Sequence, residues 1–235
     1  MRSGGFIKND KVLLIYNIRI PIRFLHRSLS YIGRGVDTSL KRNDGLANAE
    51  ISLQLQGSNA KDWTIRLGAN TNASAANMLN LVNVTNTTDP LNVYLGSPDL
   101  RNARRNNFNL GFGKGMHNLN FYYSYISNAL ARGVVYNPSN GVRTYKMYNI
   151  DGNWNANAKY SLYQQFGSNK QFDITSDTYG SYSHSVDYSG SSTSTDMNLL
   201  PKRMVNYISA SESLRLNWQK GQHRISAHAE ARYNR

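Results

Sequence analysis

The sequence predicts an all-β protein: an antiparallel, long-stranded partial transmembrane β-barrel of about nine strands, with short turns at one end and long loops at the other. Three observations predict it. Apolar and polar residues alternate with a period of two through most of the chain, the spacing that sends successive side chains to opposite faces of a sheet. Compact turn signals such as Lys114-Gly115 and Lys220-Gly221 alternate with polar stretches of a dozen or more residues. And only 17% of residues are charged, so the polar face is built mainly from Asn, Ser, Thr, Gln and Tyr.

Residues 11–25 read as one extended segment, with Ile18, Ile20, Ile22 and Phe24 on one face and Asn17, Arg19 and Arg23 on the other. Pro21 has no N–H to donate and must sit at an edge or a bend. Ile51, Leu53 and Leu55 alternate with Ser52, Gln54 and Gln56, and Gly57–Asp62 is a turn. Trp63, Ile65, Leu67, Ala69, Thr71, Ala73 and Ala75 then share a face. Residues 76–105 lack sustained alternation and read as a long loop with one short strand at Leu91–Leu95. The clearest hairpin follows: Phe108, Leu110 and Phe112, a Lys114-Gly115 turn, then Leu119, Phe121, Tyr123 and Tyr125. A second loop is expected at 127–141. After it, Trp154, Ala156, Ala158, Tyr160 and Leu162 oppose Asn153, Asn155, Asn157, Lys159 and Ser161.

The segment Phe172–Tyr188 reads as one extended run, with Phe172, Ile174, Tyr182, Val186 and Tyr188 on its even face and all three aspartates on its odd face, which predicts a strand about 50 Å long at 3.3 Å per residue. That is about three times an ordinary strand. A third loop at 189–202 separates it from a long strand at 203–219 and a final one that carries Ile225, Ala227, Ala229, Ala231 and Tyr233 on one side. GKGMHNLNFYY at 113–123 echoes QKGQHRISAHA at 219–229, which reads as one hairpin type used twice. Residues 1–45 read as an extended N-terminal segment of uncertain role, a candidate first barrel strand, and 46–235 as the partial outer-membrane barrel domain.

Composition narrows the function. The 235 residues contain no cysteine, which excludes disulfide staples, thiol catalysis and cysteine-ligated metals. No apolar run is long enough for a membrane helix. The start shows no secretory signal, so either the protein is not exported or its mature form begins elsewhere. A net charge of +13 suits an anionic partner, but the basic residues are scattered. Hydrocarbon satisfies no backbone polar group, so a spanning sheet must close into a barrel. The 16 tyrosines suit the interfacial belts of such a barrel. Two other classes compete: a soluble basic β-protein binding single-stranded nucleic acid through a basic, aromatic sheet face, and an extracellular structural or adhesive β-protein. No nucleic-acid partner is expected, because the basic residues form no stripe.

The stretch Asp89-Pro-Leu-Asn-Val-Tyr-Leu-Gly-Ser-Pro-Asp-Leu-Arg101, with Asn107-Phe-Asn-Leu-Gly-Phe112 after it, resembles part of the C-terminal barrel of TonB-dependent outer-membrane receptors of the Bacteroidetes type. Gly96, Pro98, Asp99 and Leu100 match that family's Gly-Asn-Pro-x-Leu-Lys-Pro-Glu motif, whereas Ser97, Arg101, Asn102 and Ala103 depart from it. Residues 148–152 (YNIDG) resemble the segment before a descending strand in these barrels. The resemblance spans roughly residues 45–235. It implies nutrient uptake at the cell outer membrane, energised by TonB, in a barrel of about 22 strands around a plug. The chain has no recognisable plug or TonB box and lacks the terminal aromatic usual for insertion. It is therefore expected to be a fragment, inactive alone, whose partners are outer-membrane lipid and lipopolysaccharide, the missing plug and barrel strands, and the TonB complex through the full receptor.

The candidate site residues are few. Arg101, Arg104 and Arg105 form the densest basic group, set to contact lipopolysaccharide phosphates or another anionic ligand, or simply to solvate a loop. Asp173, Asp177 and Asp187 share one face of their strand and are candidate lumen-facing carboxylates. His117, His184, His223 and His228 lack metal-ligand spacing, and His26 stands alone. No cofactor and no enzymatic activity are expected, since no nucleophile elbow, phosphate loop or carboxylate pair is present. The acceptor triplets at Asn72, Asn83 and Asn86 are explained by chance in an Asn-rich chain.

Overall fold

A computed structural model describes residues 2–9, 11–33, 36–57, 63–82, 85–188, 191–192 and 200–235. In chain order the elements are β1 (Arg2–Lys8), β2 (Val12–Arg19), β3 (Ile22–Gly33), β4 (Val36–Ala47), β5 (Ala49–Gly57), β6 (Thr64–Ser74), α1 (Met78–Leu81), β7 (Asn86–Asp89), β8 (Asn92–Leu95) and β9 (Ala103–Lys114). They continue with β10 (His117–Ser127), β11 (Ala129–Tyr136), β12 (Arg143–Ile150), β13 (Asn153–Phe166), β14 (Phe172–Tyr188), β15 (Ser191–Ser192), β16 (Lys202–Lys220) and β17 (His223–Asn234).

Ten strands form one antiparallel wall in the order β1-β2-β5-β6-β9-β10-β13-β14-β16-β17. The all-β, antiparallel, long-stranded character expected from the alternation is present: β14 spans 17 residues and β16 spans 19. The wall is open. Among the described residues β1 pairs only with β2, and β17 only with β16.

Short turns gather at one end. Asn9 closes the first by accepting from the N–H groups of Lys11 and Val12 at 3.0 and 2.8 Å, an Asx-turn. The echoed Lys-Gly-x-His segments become equivalent hairpin turns, with Gly115 at φ 57° and Gly221 at φ 58°. A glycine supplies positive φ at the first central position of such a turn at little cost. The expected turn after Gly57 falls at 58–62, outside the described residues.

At the other end the hairpins lengthen and leave the wall at paired kinks. Between β2 and β3 the chain bends at Pro21, whose carbonyl accepts from the Asn48 N–H at 3.0 Å, so residues 11–25 form two strands rather than one. Between β10 and β11, Asn128 takes φ 52°, and across the hairpin Gly152 takes φ 110°. Asp151 ties the two by accepting from the Asn128 N–H at 2.6 Å. The loop expected at 127–141 is mostly strand for this reason: the backbone rotates at Asn128 and resumes pairing as β11–β12, with a small apolar row at Ala131, Gly133 and Val135 on its inner side. The 76–105 region holds the expected short strand as β8, and also α1, β7 and the start of β9.

These extensions build a layer over the loop end: the β3–β4 hairpin and a five-stranded sheet ordered β15-β11-β12-β8-β7. The buried apolar residues lie here. Ala76, Leu81 and Leu100 form one cluster; Ala131, Ile150 and Val186 form another. The long wall has no comparable core.

Candidate membrane-facing wall and the loop-end layer

Register fixes the two faces of the wall. One row runs Tyr16, Leu53, Leu67, Leu110, Phe121, Ala158, Gly180, Ala210, Tyr233 across nine strands. The next row toward the loops runs Ile18, Ile51, Ala69, Phe108, Tyr123, Ala156, Tyr182, Ile208. Among the described residues no second layer covers this face: Leu110 is 44% exposed, Phe121 48% and Phe108 52%. A soluble sandwich would bury such rows against a facing sheet.

Aromatic rings gather at two levels of the apolar face, with Tyr16, Phe112, Phe121, Tyr160 and Tyr233 between them. Toward the loops, Phe108, Tyr123, Trp154 and Tyr182 follow one another with centroids 6.4, 5.9 and 5.1 Å apart. Toward the turns, Phe166 stacks on Phe172 at 5.3 Å, and Trp218 lies opposite Phe172. On β14, Phe172 and Tyr182 are ten residues apart. That is roughly 33 Å along the strand, which the tilt usual for outer-membrane barrel strands would make about 25 Å of height. A height of about 25 Å equals the apolar band of an outer-membrane barrel.

The opposite face is mostly polar, with Phe6, Leu13 and Ile15 of β1 and β2 among its apolar exceptions. Asn107 is its best-tied residue: its Nδ2 donates to Asn70 at 2.7 Å, and its Oδ1 accepts from Tyr122 and Ser124 at 2.8 Å each. Asp173, Asp177 and Asp187 lie on this face, all three on one side of β14 as their spacing predicts. Asp173 accepts from Asn217 at 2.6 Å, and Asp177 pairs with Lys159 at 3.1 Å and with Ser161. Asp187 accepts from the Tyr188 N–H. They are separate carboxylates rather than one cluster, and among the described residues only Asp177 of the three takes part in an ion pair.

The arginines do not converge. Arg104 shares a face with Ala73 and Ser127, whereas Arg105, one residue on, lies on the other face with Asn72 and Ile126. Arg101 precedes the strand, its backbone N–H and carbonyl both held by the Asn149 side chain at 2.7 and 3.1 Å. All three are exposed.

Gly96, Pro98, Asp99 and Leu100 make a turn that inserts Leu100 into the loop-end core. The Ser97 N–H donates to Asn80 O at 2.7 Å, the Leu100 N–H donates to Ser97 O at 3.2 Å, and Leu100 is 4% exposed. Pro98 and Asp99 face solvent.

No family model, no curated protein and no solved structure matches the chain.

A node absent from the sequence reading locks the loop-end layer. Asp44, 5% exposed, pairs with both Arg27 and Arg42 and accepts from Asn102 at 2.8 Å. Arg27 and Arg42 also donate to the carbonyls of Ala76 and Leu100 at 2.6 and 2.8 Å. Burial pushes the Asp44 carboxyl up, but hydrogen bonds from Asn102, Arg27 and Arg42 outweigh it and hold the group below the usual carboxylate range. Its partners lie 17, 2 and 58 positions away, so no local motif announces it. The histidines bond singly, His117 to Tyr160 and His184 to Asn206. Among the described residues no three His, Asp or Glu side chains gather for a metal, and no helix is long and apolar enough to cross a membrane. Of the acceptor triplets, Asn72 lies on β6, while residues 83–84 fall outside the described residues.

Proposed function

We propose that this chain is a non-catalytic section of the wall of an outer-membrane β-barrel receptor for TonB-dependent nutrient uptake. The observation that carries the membrane part is the uncovered apolar face, broadest across β2, β5, β6, β9 and β10, with aromatic rings gathered at two levels roughly 33 Å apart along β14. An aqueous surface of that extent is strongly unfavourable, whereas hydrocarbon accepts it. The polar opposite face suits a wet lumen, and the division into short turns and a folded loop layer suits the periplasmic and outer ends of such a barrel.

The unpaired edges of β1 and β17 support the larger barrel. An open edge in hydrocarbon leaves backbone groups without partners, so function requires further strands. The receptor assignment rests on the resemblance at residues 89–112 and 148–152. In this reading Arg101, Arg104 and Arg105 act singly near lipopolysaccharide at the loop-end rim.

Expression in a Gram-negative host followed by fractionation tests the proposal. The chain should be found in the outer membrane, resist alkaline washing and need detergent for release. A soluble monomer that binds single-stranded DNA with steep salt dependence would overturn it.

A further inference from the structure

The loop-end layer contains a cleft of about 260 Å³ between β3, α1, β8, β11 and β12, built entirely from elements outside the wall. Its floor is a stacked pair. Tyr94 and Tyr145 lie opposite each other in the parallel β8–β12 ladder, with ring centroids 4.8 Å apart and planes 14° apart. The Tyr145 hydroxyl donates to Asn92 at 3.1 Å, which fixes that ring. Tyr94 is nevertheless 47% exposed.

Beside the pair stands Arg132. Register puts it opposite Met147, two residues beyond Tyr145 on β12 and therefore on the same face. It is exposed, and among the described residues it makes no ion pair. The other cation at the cleft, Lys146, projects from the other face of β12 and lies over the Tyr148 ring at 5.5 Å. Among the described residues no carboxylate lines the cleft, and Leu79, Val82, Leu95 and Met147 make much of the remainder apolar.

We infer that this cleft binds a flat aromatic anion, its ring stacked on Tyr94 and its carboxylate held by Arg132. Aromatic rings favour offset stacking on one another, and a guanidinium matches a carboxylate in a two-point fork. The apolar remainder argues against a polyhydroxylated ligand such as a sugar. Each buried hydroxyl needs a partner, and apart from the tyrosine hydroxyls the described lining offers only Asn80, Arg132 and Lys146 as polar side chains, the last turned onto the Tyr148 ring. The inference is independent of whether the wall meets lipid.

Titration of the full 235-residue chain, folded in detergent, with 2-naphthoate tests it. Saturable binding is expected, weakened at least tenfold by Arg132→Gln and by Tyr94→Ala. The uncharged analogue 2-naphthalenemethanol and the anionic sugar glucuronate should each bind at least tenfold more weakly than 2-naphthoate. Unchanged circular dichroism and melting keep the Arg132→Gln result interpretable, since that side chain is exposed. Equal affinity of wild type and Arg132→Gln, tighter binding of glucuronate, or no saturation with 2-naphthoate would each overturn the inference.

Discussion

The two halves of the apolar face are built differently. Across β2, β5, β6, β9 and β10 the central row holds Tyr16, Leu53, Leu67, Leu110 and Phe121. Across β13, β14 and β16 the same row holds Ala158, Gly180 and Ala210. One row toward the turns, the contrast sharpens: Leu14, Leu55, Ile65, Phe112 and Leu119 give way, beyond Tyr160, to Thr178, Glu212 and Ala231. Glu212 is a carboxylate in this polar patch of the face, bonded by Ser176 at 2.7 Å and by Thr178. Burial of apolar area is what drives such a surface out of water, so the first half has the greater need of an apolar surrounding and the second is less demanding.

The same substitution at one depth tests this. Leu110→Arg places a cation among large apolar neighbours and should cost roughly 2–4 kcal/mol in lipid vesicles, read by urea unfolding. Ala210→Arg lies in the same row but two residues from Glu212 on the same face, so it should cost less than half as much. Equal losses break the comparison.

A substitution outside both halves sharpens it. Asp44→Asn removes the charge that Arg27 and Arg42 pair with and turns one acceptor oxygen into an N–H donor facing donors, and should cost about 2–3 kcal/mol, below the usual range for a broken buried pair because both arginines are partly hydrated. The loss should be confined to the loop-end layer, visible as faster hydrogen exchange in β3 and β4. The sign of the pH dependence follows from the lowered carboxyl. Its stabilisation is complete above the ordinary carboxylate range and is lost as pH falls through the folded-state value. Acid titration of wild type should therefore loosen the layer, and Asp44→Asn should remove that acid dependence.

On the polar face, Asn107→Ala leaves the Ser124 hydroxyl, 1% exposed, without its acceptor. Thermal or urea unfolding should show a loss of about 1–2 kcal/mol. Smallest is Glu212→Leu, expected to raise the unfolding midpoint slightly in lipid. A fall in the midpoint would mean that the second half meets something more polar than hydrocarbon.

The wall was legible in the sequence because its period-two pattern needs no knowledge of distant residues. Phe172–Tyr188 is a strand over the bounds its alternation marks. The loop-end layer was not legible, because its structure depends on pairing between segments far apart. β8 runs parallel to β12 across some fifty positions, and Arg42 and Asn102 meet 60 positions apart. The arginine group illustrates the opposite error: Arg104 and Arg105 are adjacent in sequence, and adjacency on a strand separates side chains across the sheet.

The paired kinks at Pro21 with Asn48 and at Asn128 with Gly152 keep every wall neighbour next in line along the chain. The β3–β4 and β11–β12 extensions lengthen hairpins without interposing a wall strand between them, so no crossover has to be threaded. Such a meander can grow one hairpin at a time, each step closing only a local loop. Growth in this manner never removes an open edge. Each added strand covers one and presents another, so a partly assembled wall is at every stage as sticky at its margins as the finished ten-stranded sheet.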